Sequence, residues 1–255
     1  MGGERVPMTA WARWVVLVGI LLALNGCEGK RQVVPPPARK ARTVQVPAMD
    51  TPQEKAQGTY HVVKKGETLW RICRSYGVDL QQVAELNNIR DPSQIREGQR
   101  IFIPGASGTA RVEIPKSSQG EAEPKIQFFA GKLIWPVRGQ ITSSFGVRNG
   151  MKHSGIDIKA PMGTPVVAAA EGEVIYRGEL RGYGNILILR HSEELATVYA
   201  HLNEITAADH QKVRQGERIG TVGNSGQAEG AHLHFEVRVK NVARNPLFYL
   251  PEGGQ

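Results

Sequence analysis

Near the C-terminal end the chain alternates apolar and polar residues without a break. In "GAHLHFEVRV" a strand would place Leu233, Phe235, Val237 and Val239 on one face, and His232, His234, Glu236 and Arg238 on the other. Shorter runs of the same kind, "PVVAAA", "GEVIYRG", "NILILR", "ATVYAHL" and "GERIGTVG", fill the stretch from Lys132 to Leu250 and are punctuated by glycines. Short strands at close spacing predict a mainly β domain built on antiparallel sheet, a sandwich or a barrel. No segment of it has the pattern of a long helix, although "NEITAADH" has room for one helical turn.

A different period governs residues 59–104. In "TLWRICRSYG", Leu69, Ile72, Cys73 and Tyr76 follow the spacing of a helix core face. Thr68 is placed to cap that helix, Gly77 to end it, and Asp79 to cap a second one from Leu80 to Leu86. Apolar strands, Tyr60 to Val63 and Arg100 to Ile103, flank the pair, so the segment reads as a small βααβ module. A segment this short is near the lower limit for a free-standing core.

Ahead of both modules, Arg5 and Arg13 precede the apolar run "WVVLVGILLAL", Trp14 to Leu24. As a helix the run would rise about 16 Å, short of the roughly 30 Å of a bilayer's hydrocarbon core. It reads as an export signal and is set apart from the fold. The run ends in "LNGC", Leu24 to Cys27. Residues 27–58 carry Pro35, Pro36 and Pro37 among scattered Lys and Arg, with no apolar periodicity, and read as a linker. Such a linker spans roughly 30 Å as a coil and up to about 95 Å as polyproline II. A second linker, 105–131, holds Pro115 and Pro124. The expected organisation is therefore signal (1–26), linker (27–58), βααβ module (59–104), linker (105–131) and β domain (132–251).

The net charge is +8 over 255 residues, with the basic residues scattered. That favours anionic surfaces such as wall polymer or lipid headgroups, and no nucleic-acid-binding pattern accompanies it, so no nucleic acid is expected as a partner. The two cysteines, Cys27 and Cys73, make no disulfide framework. Cys73 reads as a small buried apolar residue.

Seven histidines remain to be explained. In "HSGID", His153 and Asp157 stand four apart, but Gly155 and nearby Pro161 argue against a helix. On a straight strand their Cα atoms would be about 13 Å apart, too far for joint ligation at roughly 2 Å bonds, so the chain must bend at Gly155 if both hold one ion. In "ATVYAHL", alternation groups His201 with Thr197 and Tyr199, opposite Val198, Ala200 and Leu202. With the His232/His234 strand, these residues supply the inventory for a zinc ion with an open coordination position. His61, His191 and His210 show no such setting.

Three resemblances extend this reading. The "LNGC" stretch resembles the lipobox of bacterial lipoproteins, which implies lipid on Cys27, and Glu28 after it leans towards the outer membrane facing the periplasm. The segment "YHVVKKGETLWRI", "YGVDLQQVAELNNI", "IREGQRIFIP" is similar to the LysM family, which implies peptidoglycan glycan binding in a groove near Gly66, Thr68, Asn87 and Asn88. The β domain, through "SSFGVR", "HSGIDIKAPMGTPVVAAAEGEV", "GYGNILILRH", "YAHL" and "HLH", resembles the lysostaphin-type (LytM-like) zinc peptidases. That resemblance implies one zinc ion held by His153, Asp157 and His234, with His201 and His232 as catalytic histidines, and hydrolysis of peptidoglycan stem-peptide cross-links. The loop "NSGQAEGAHLHFE" departs from the family pattern in bearing Gln and Glu. The whole architecture also resembles NlpD-type lipoproteins, many of which activate a separate cell-wall amidase in cell division and have lost metal ligands. A carrier module, suggested by "TPVVAAAEGEVIYRG" and "VRQGERIGTVG", lacks the lysine-bearing hairpin motif between the halves.

Overall fold

A computed structural model describes residues 54–112, 123–129 and 131–253, and among these described residues lie two α-helices and sixteen short strands. A two-residue strand, β1 (Glu54–Lys55), precedes the small module: β2 (Gly58–Val62), α1 (Leu69–Tyr76), α2 (Leu80–Leu86) and β3 (Arg100–Pro104). Its caps are those the sequence calls for. Thr68 accepts the Arg71 N–H, Gly77 closes α1 in the left-handed region at φ 65°, and Asp79 accepts the Gln82 N–H at 2.7 Å. Leu69, Ile72, Cys73, Val83, Ala84, Ile101 and Ile103 form its core. Burial pushes the Cys73 thiol up to about 12, so it is inert at neutral pH.

The larger module follows as β4 (Gln140–Ser143), β5 (Gly146–Arg148), β6 (Met151–His153), β7 (Ile156–Lys159), β8 (Pro165–Val167), β9 (Gly172–Leu180), β10 (Gly184–Arg190), β11 (Leu195–Ala200), β12 (Leu202–Ile205), β13 (Lys212–Val213), β14 (Arg218–Val222), β15 (His232–Val239) and β16 (Val242–Arg244). The main sheet is eight-stranded and antiparallel, in the order β13-β9-β10-β11-β15-β7-β4, with β16 also on β15. A three-stranded sheet, β12-β14-β8, closes the core from the other side. The "NEITAADH" stretch makes β12 and a loop rather than a helical turn, because β12 finds β14 as a partner.

Both faces of the main sheet are buried. One face sends Ile156, Ile158, Leu187, Leu189, Tyr199, Leu233, Phe235 and Val237 into the principal apolar core. The opposite face carries Ile186, Ile188, Val198 and Ala200, packed with Tyr183. On β15 that second face is His234, Glu236 and Arg238, all buried. The polar side of "HLHFEVRV" is thus an interior surface, not a solvated one. No helix among the described residues is long and apolar enough to cross a membrane.

The small module is tied to the sheet at several points. Glu85 of α2 is buried and receives Arg244, at the end of β16, through both Nε and Nη2 at 2.8 Å. The Asn245 carboxamide donates to the Glu85 carbonyl, and the Asn245 backbone N–H to its carboxylate. β1 pairs with β6, the strand that leads into His153.

Candidate metal centre and active site

Strand register brings the site together. β7 and β15 pair so that Asp157 lies directly opposite His234, and side chains opposed in an antiparallel pair share a face. His153 ends β6, and the chain turns at Ser154 and Gly155 before β7 begins. The bend expected from the spacing is there, for a different reason than backbone freedom. A Cβ on Gly155 would meet the Phe235 carbonyl oxygen at 2.4 Å, so glycine lets the turn press against β15.

Three donor atoms converge as a result. His153 Nε2 lies 3.2 Å from Asp157 Oδ1 and 3.2 Å from His234 Nδ1, and His234 Nδ1 lies 2.8 Å from Asp157 Oδ1. Tetrahedral zinc with bonds of about 2.0–2.2 Å separates neighbouring ligand atoms by roughly 3.3–3.5 Å, so this triangle fits the ion with a small expansion. Two ring nitrogens and a carboxylate oxygen pointed at one spot can hold a cation between them. The electrostatics agree. Burial disfavours a charged His234, but hydrogen bonds to Asp157 and Glu236 outweigh it and lift the imidazole to about 9. Burial likewise works against an ionised Asp157, yet His153 and His234 hold its carboxyl well below the usual range. The two carboxylates thus favour positive charge at His234, and the donor set of two imidazoles and a carboxylate suits zinc.

His201 and His232 stand beside this triangle, their rings 4.8 Å apart. Each has Nδ1 against a backbone carbonyl, His201 with Ser225 at 2.7 Å and His232 with Gly230 at 2.8 Å. A carbonyl only accepts, so Nδ1 carries the proton and Nε2 is left as the acceptor in the neutral ring. His232 Nε2 is 3.7 Å from Asp157 Oδ1. Burial draws His201 down to about 4, so it is neutral at physiological pH.

The route by which His201 arrives corrects the alternation reading. Ala200 is opposite His234 in the β11–β15 register, so strict alternation would put His201 on the far face with Tyr199, inside the apolar core. Instead β11 ends at Ala200, and His201 takes the left-handed conformation at φ 59°. Its N–H bonds to the Tyr183 carbonyl and its ring turns towards His234. The wall behind it is a crossing of two turns: a Cβ on Gly184 would lie 2.4 Å from the Gly226 nitrogen. A cleft of about 730 Å³ opens over these groups, lined also by Arg148, Lys159, Gln227 and Glu229. The Gln and Glu of the 224–231 loop, Gln227 and Glu229, therefore border this cleft.

Sequence reasoning overlooked Glu236 and Tyr183. Glu236 is fully buried, with Oε1 3.1 Å from His234 Nε2 and accepting the Tyr183 hydroxyl at 2.8 Å. The signal was present as a third polar residue on the face of His232 and His234. The remaining histidines are structural: His61 is buried against Glu67 and Tyr76, His191 bridges the Glu171 carbonyl and Thr197, and His210 is an exposed loop residue beside Glu173.

The four residues expected at a glycan groove separate. Thr68 and Glu67 border an open groove that runs to Asp91, Ser93 and Ile95 and is walled by Glu123 to Ile126, and the Gly66 carbonyl is close by, facing Arg71. Asn87 does not offer its amide there, because it donates to the Val83 and Phe102 carbonyls and accepts the Phe102 N–H. Asn88 is likewise spent, on the Phe145 carbonyl and the Asn245 amide of the larger module. Cys27 and the first linker lie outside the described residues.

Comparison with known proteins follows the same division. The model of peptidase family M23 matches residues 151–246, and that of the LysM domain matches residues 61–104. The chain belongs to the M23 peptidase family and carries a LysM domain in front of the peptidase fold. Over 253 residues it is 34% identical to the uncharacterized lipoprotein YgeR of Escherichia coli, covering 94% of this chain and 93% of that one. It is also 28% identical over 267 residues to the murein hydrolase activator NlpD of Escherichia coli, covering 79% and 70% of the two chains. Among solved structures, a zinc containing peptidase from Vibrio cholerae is 35% identical over 44% of this chain and 37% of that chain, with a TM-score of 0.42.

Proposed function

We propose that this protein is a zinc-dependent endopeptidase of the cell envelope that cleaves stem-peptide cross-links of peptidoglycan. The observation that carries the reading is the convergence of His153 Nε2, Asp157 Oδ1 and His234 Nδ1 beside two further imidazoles whose Nδ1 protons are tied to carbonyls. A domain serving only as a scaffold has no need of all five groups at the floor of one cleft.

The division of roles follows from which atoms are free. His153, Asp157 and His234 would hold zinc, whose Lewis acidity polarises a peptide carbonyl and makes water nucleophilic at neutral pH. His201 and His232 present Nε2 as proton acceptors. One Nε2 takes the proton of the attacking water, and a protonated imidazole then gives a proton to the leaving amine nitrogen. Once protonated, that Nε2–H can also donate to the negative charge that grows on the carbonyl oxygen. The carbonyl contacts at Ser225 and Gly230 fix the tautomers this requires.

The LysM module would bind the glycan strands through the groove beside Thr68, and a lipid on Cys27 would hold the protein at the outer membrane. The names of its relatives support an envelope lipoprotein. The similarity to NlpD favours a second reading, activation of a separate cell-wall amidase without hydrolysis. The test is release of uncross-linked muropeptides from purified sacculi, with chelator and zinc-restored controls. Cleavage by the zinc-loaded protein supports the peptidase. Absence of cleavage, together with activation of an amidase that survives His234→Ala, replaces it with the activator.

A further inference from the structure

We propose that Glu236 is a positioning residue for His234: its carboxylate accepts a hydrogen bond from Nε2–H, so that the proton stays on Nε2 and Nδ1 is the nitrogen left to ligate a metal beside His153 and Asp157. This rests on the metal reading given above.

The geometry is specific. His234 is 1% exposed and Glu236 0%, so neither can trade its partner for water. His234 Nε2 lies 3.1 Å from Glu236 Oε1, on the opposite side of the ring from the Nδ1 that faces the other donors. The two residues are i and i+2 on β15, hence on one face, and the strand itself sets their spacing. With the other tautomer the ring would turn a lone pair towards the Glu236 carboxylate, which repels it, and would put a hydrogen where a metal ligand needs a lone pair.

Glu236 is itself immobilised from two directions. Arg238 donates from Nε to Oε2 at 2.6 Å, and the Tyr183 hydroxyl donates to Oε1 at 2.8 Å. A buried carboxylate is tolerated only when paired and hydrogen-bonded, and here both oxygens are engaged. Tyr183 also accepts the His201 backbone N–H through its carbonyl, so one turn between β9 and β10 braces both the positioning residue and a catalytic histidine. The contrast with His153 sharpens the assignment. The second nitrogen of His153 meets a neutral partner, the Ser144 carbonyl, at 2.9 Å, whereas His234 alone has a charged one. A carboxylate behind an imidazole raises its strength as a ligand as well as fixing its tautomer.

The experiment uses the full-length protein and zinc. The zinc dissociation constant, measured by competition with a chelator, should rise about 10–100-fold in Glu236→Gln and in Glu236→Asp. The first keeps the shape without the charge. The second keeps the charge but draws it back from Nε2. Both should retain a cooperative melt. A measurement on the wild type is independent of how well the variants fold: with ¹⁵N-labelled histidine and cadmium in place of zinc, His234 should show metal coupling at Nδ1 and a slowly exchanging proton on Nε2. Wild-type zinc affinity in both variants, or metal coupling at His234 Nε2, overturns the proposal while leaving the metal site standing. A wild type that takes up neither metal removes both.

Discussion

Glu85 and Arg244 meet in a two-pronged ion pair across the junction of the LysM and peptidase modules, with both contacts at 2.8 Å and the carboxylate buried. An exposed pair is worth about 0–1 kcal/mol, but removing one member of a buried pair typically costs 3–5 kcal/mol. Burial of Glu85 decides between these. Arg244→Met should cost roughly 3 kcal/mol, because Arg244 is partly exposed and the loss falls at the lower end. Glu85→Gln combined with Arg244→Met should recover part of it. Denaturant midpoints of the two variants and the wild type test this.

The metal and catalytic roles separate under substitution. His234→Ala should abolish zinc binding and cleavage together, since two protein ligands are too few for a stable site. His201→Ala or His232→Ala should keep stoichiometric zinc and slow cleavage by roughly 10²–10⁴. Metal content and muropeptide release, measured on the same preparations, distinguish the two classes.

His201 occupies the left-handed region, where Asn is tolerated and β-branched residues are not. His201→Asn should therefore keep the wild-type melting temperature and lose only activity. His201→Val should be less stable than His201→Asn by about 1–2 kcal/mol. Equal melting temperatures for the two would show that the turn at His201 relaxes without strain.

His191 carries a pH prediction for stability. Burial lowers its pKa below the ordinary value, while the contact with the Glu171 carbonyl only partly opposes this. The unfolded chain then binds more protons than the folded one between the two pKa values, so stability rises with pH there. The contribution is complete above about pH 6.5 and is lost as pH falls below it. In His191→Gln the unfolding midpoint should depend less on pH below about 6.5 than in the wild type. A parallel dependence in both proteins rules the assignment out.

Much of this site could be read before any coordinates. The period-2 pattern of "HLHFEVRV" put His234, Glu236 and Arg238 on one face, and the caps Thr68, Gly77 and Asp79 marked both helices. Three features escaped for physical reasons. His201 departs from its strand's alternation because the chain turns left-handed at that residue, and a local pattern carries no warning of it. Glu236 looks like a solvated strand residue until the sheet is known to be covered on both sides. Asn87, Asn88 and Glu85 are polar residues at the end of an amphipathic helix, where a solvent face or a ligand is the natural reading. Their partners, Phe102, Phe145, Arg244 and Asn245, come from distant parts of the chain.

On the proposed reading, anchorage rests on Cys27. Lipid on Cys27 with loss of the preceding segment predicts that Cys27→Ser moves the protein from the membrane pellet to the soluble fraction, since stable anchoring takes more than one acyl chain. Retention in the pellet would mean that the apolar run from Trp14 to Leu24 is the anchor.

The opposition of Asp157 and His234 is set by the pairing of β7 with β15, and that pairing is secured by Ile156, Ile158, Leu233 and Phe235 on the far side of the sheet. Chemistry and architecture therefore draw on alternate residues of the same strands. On the proposed reading, a single codon change at His153 or His234 would silence hydrolysis while leaving untouched the apolar residues that pair the two strands. For a lineage of envelope proteins, that reading makes the passage from cutting the wall to directing other proteins that cut it a short one.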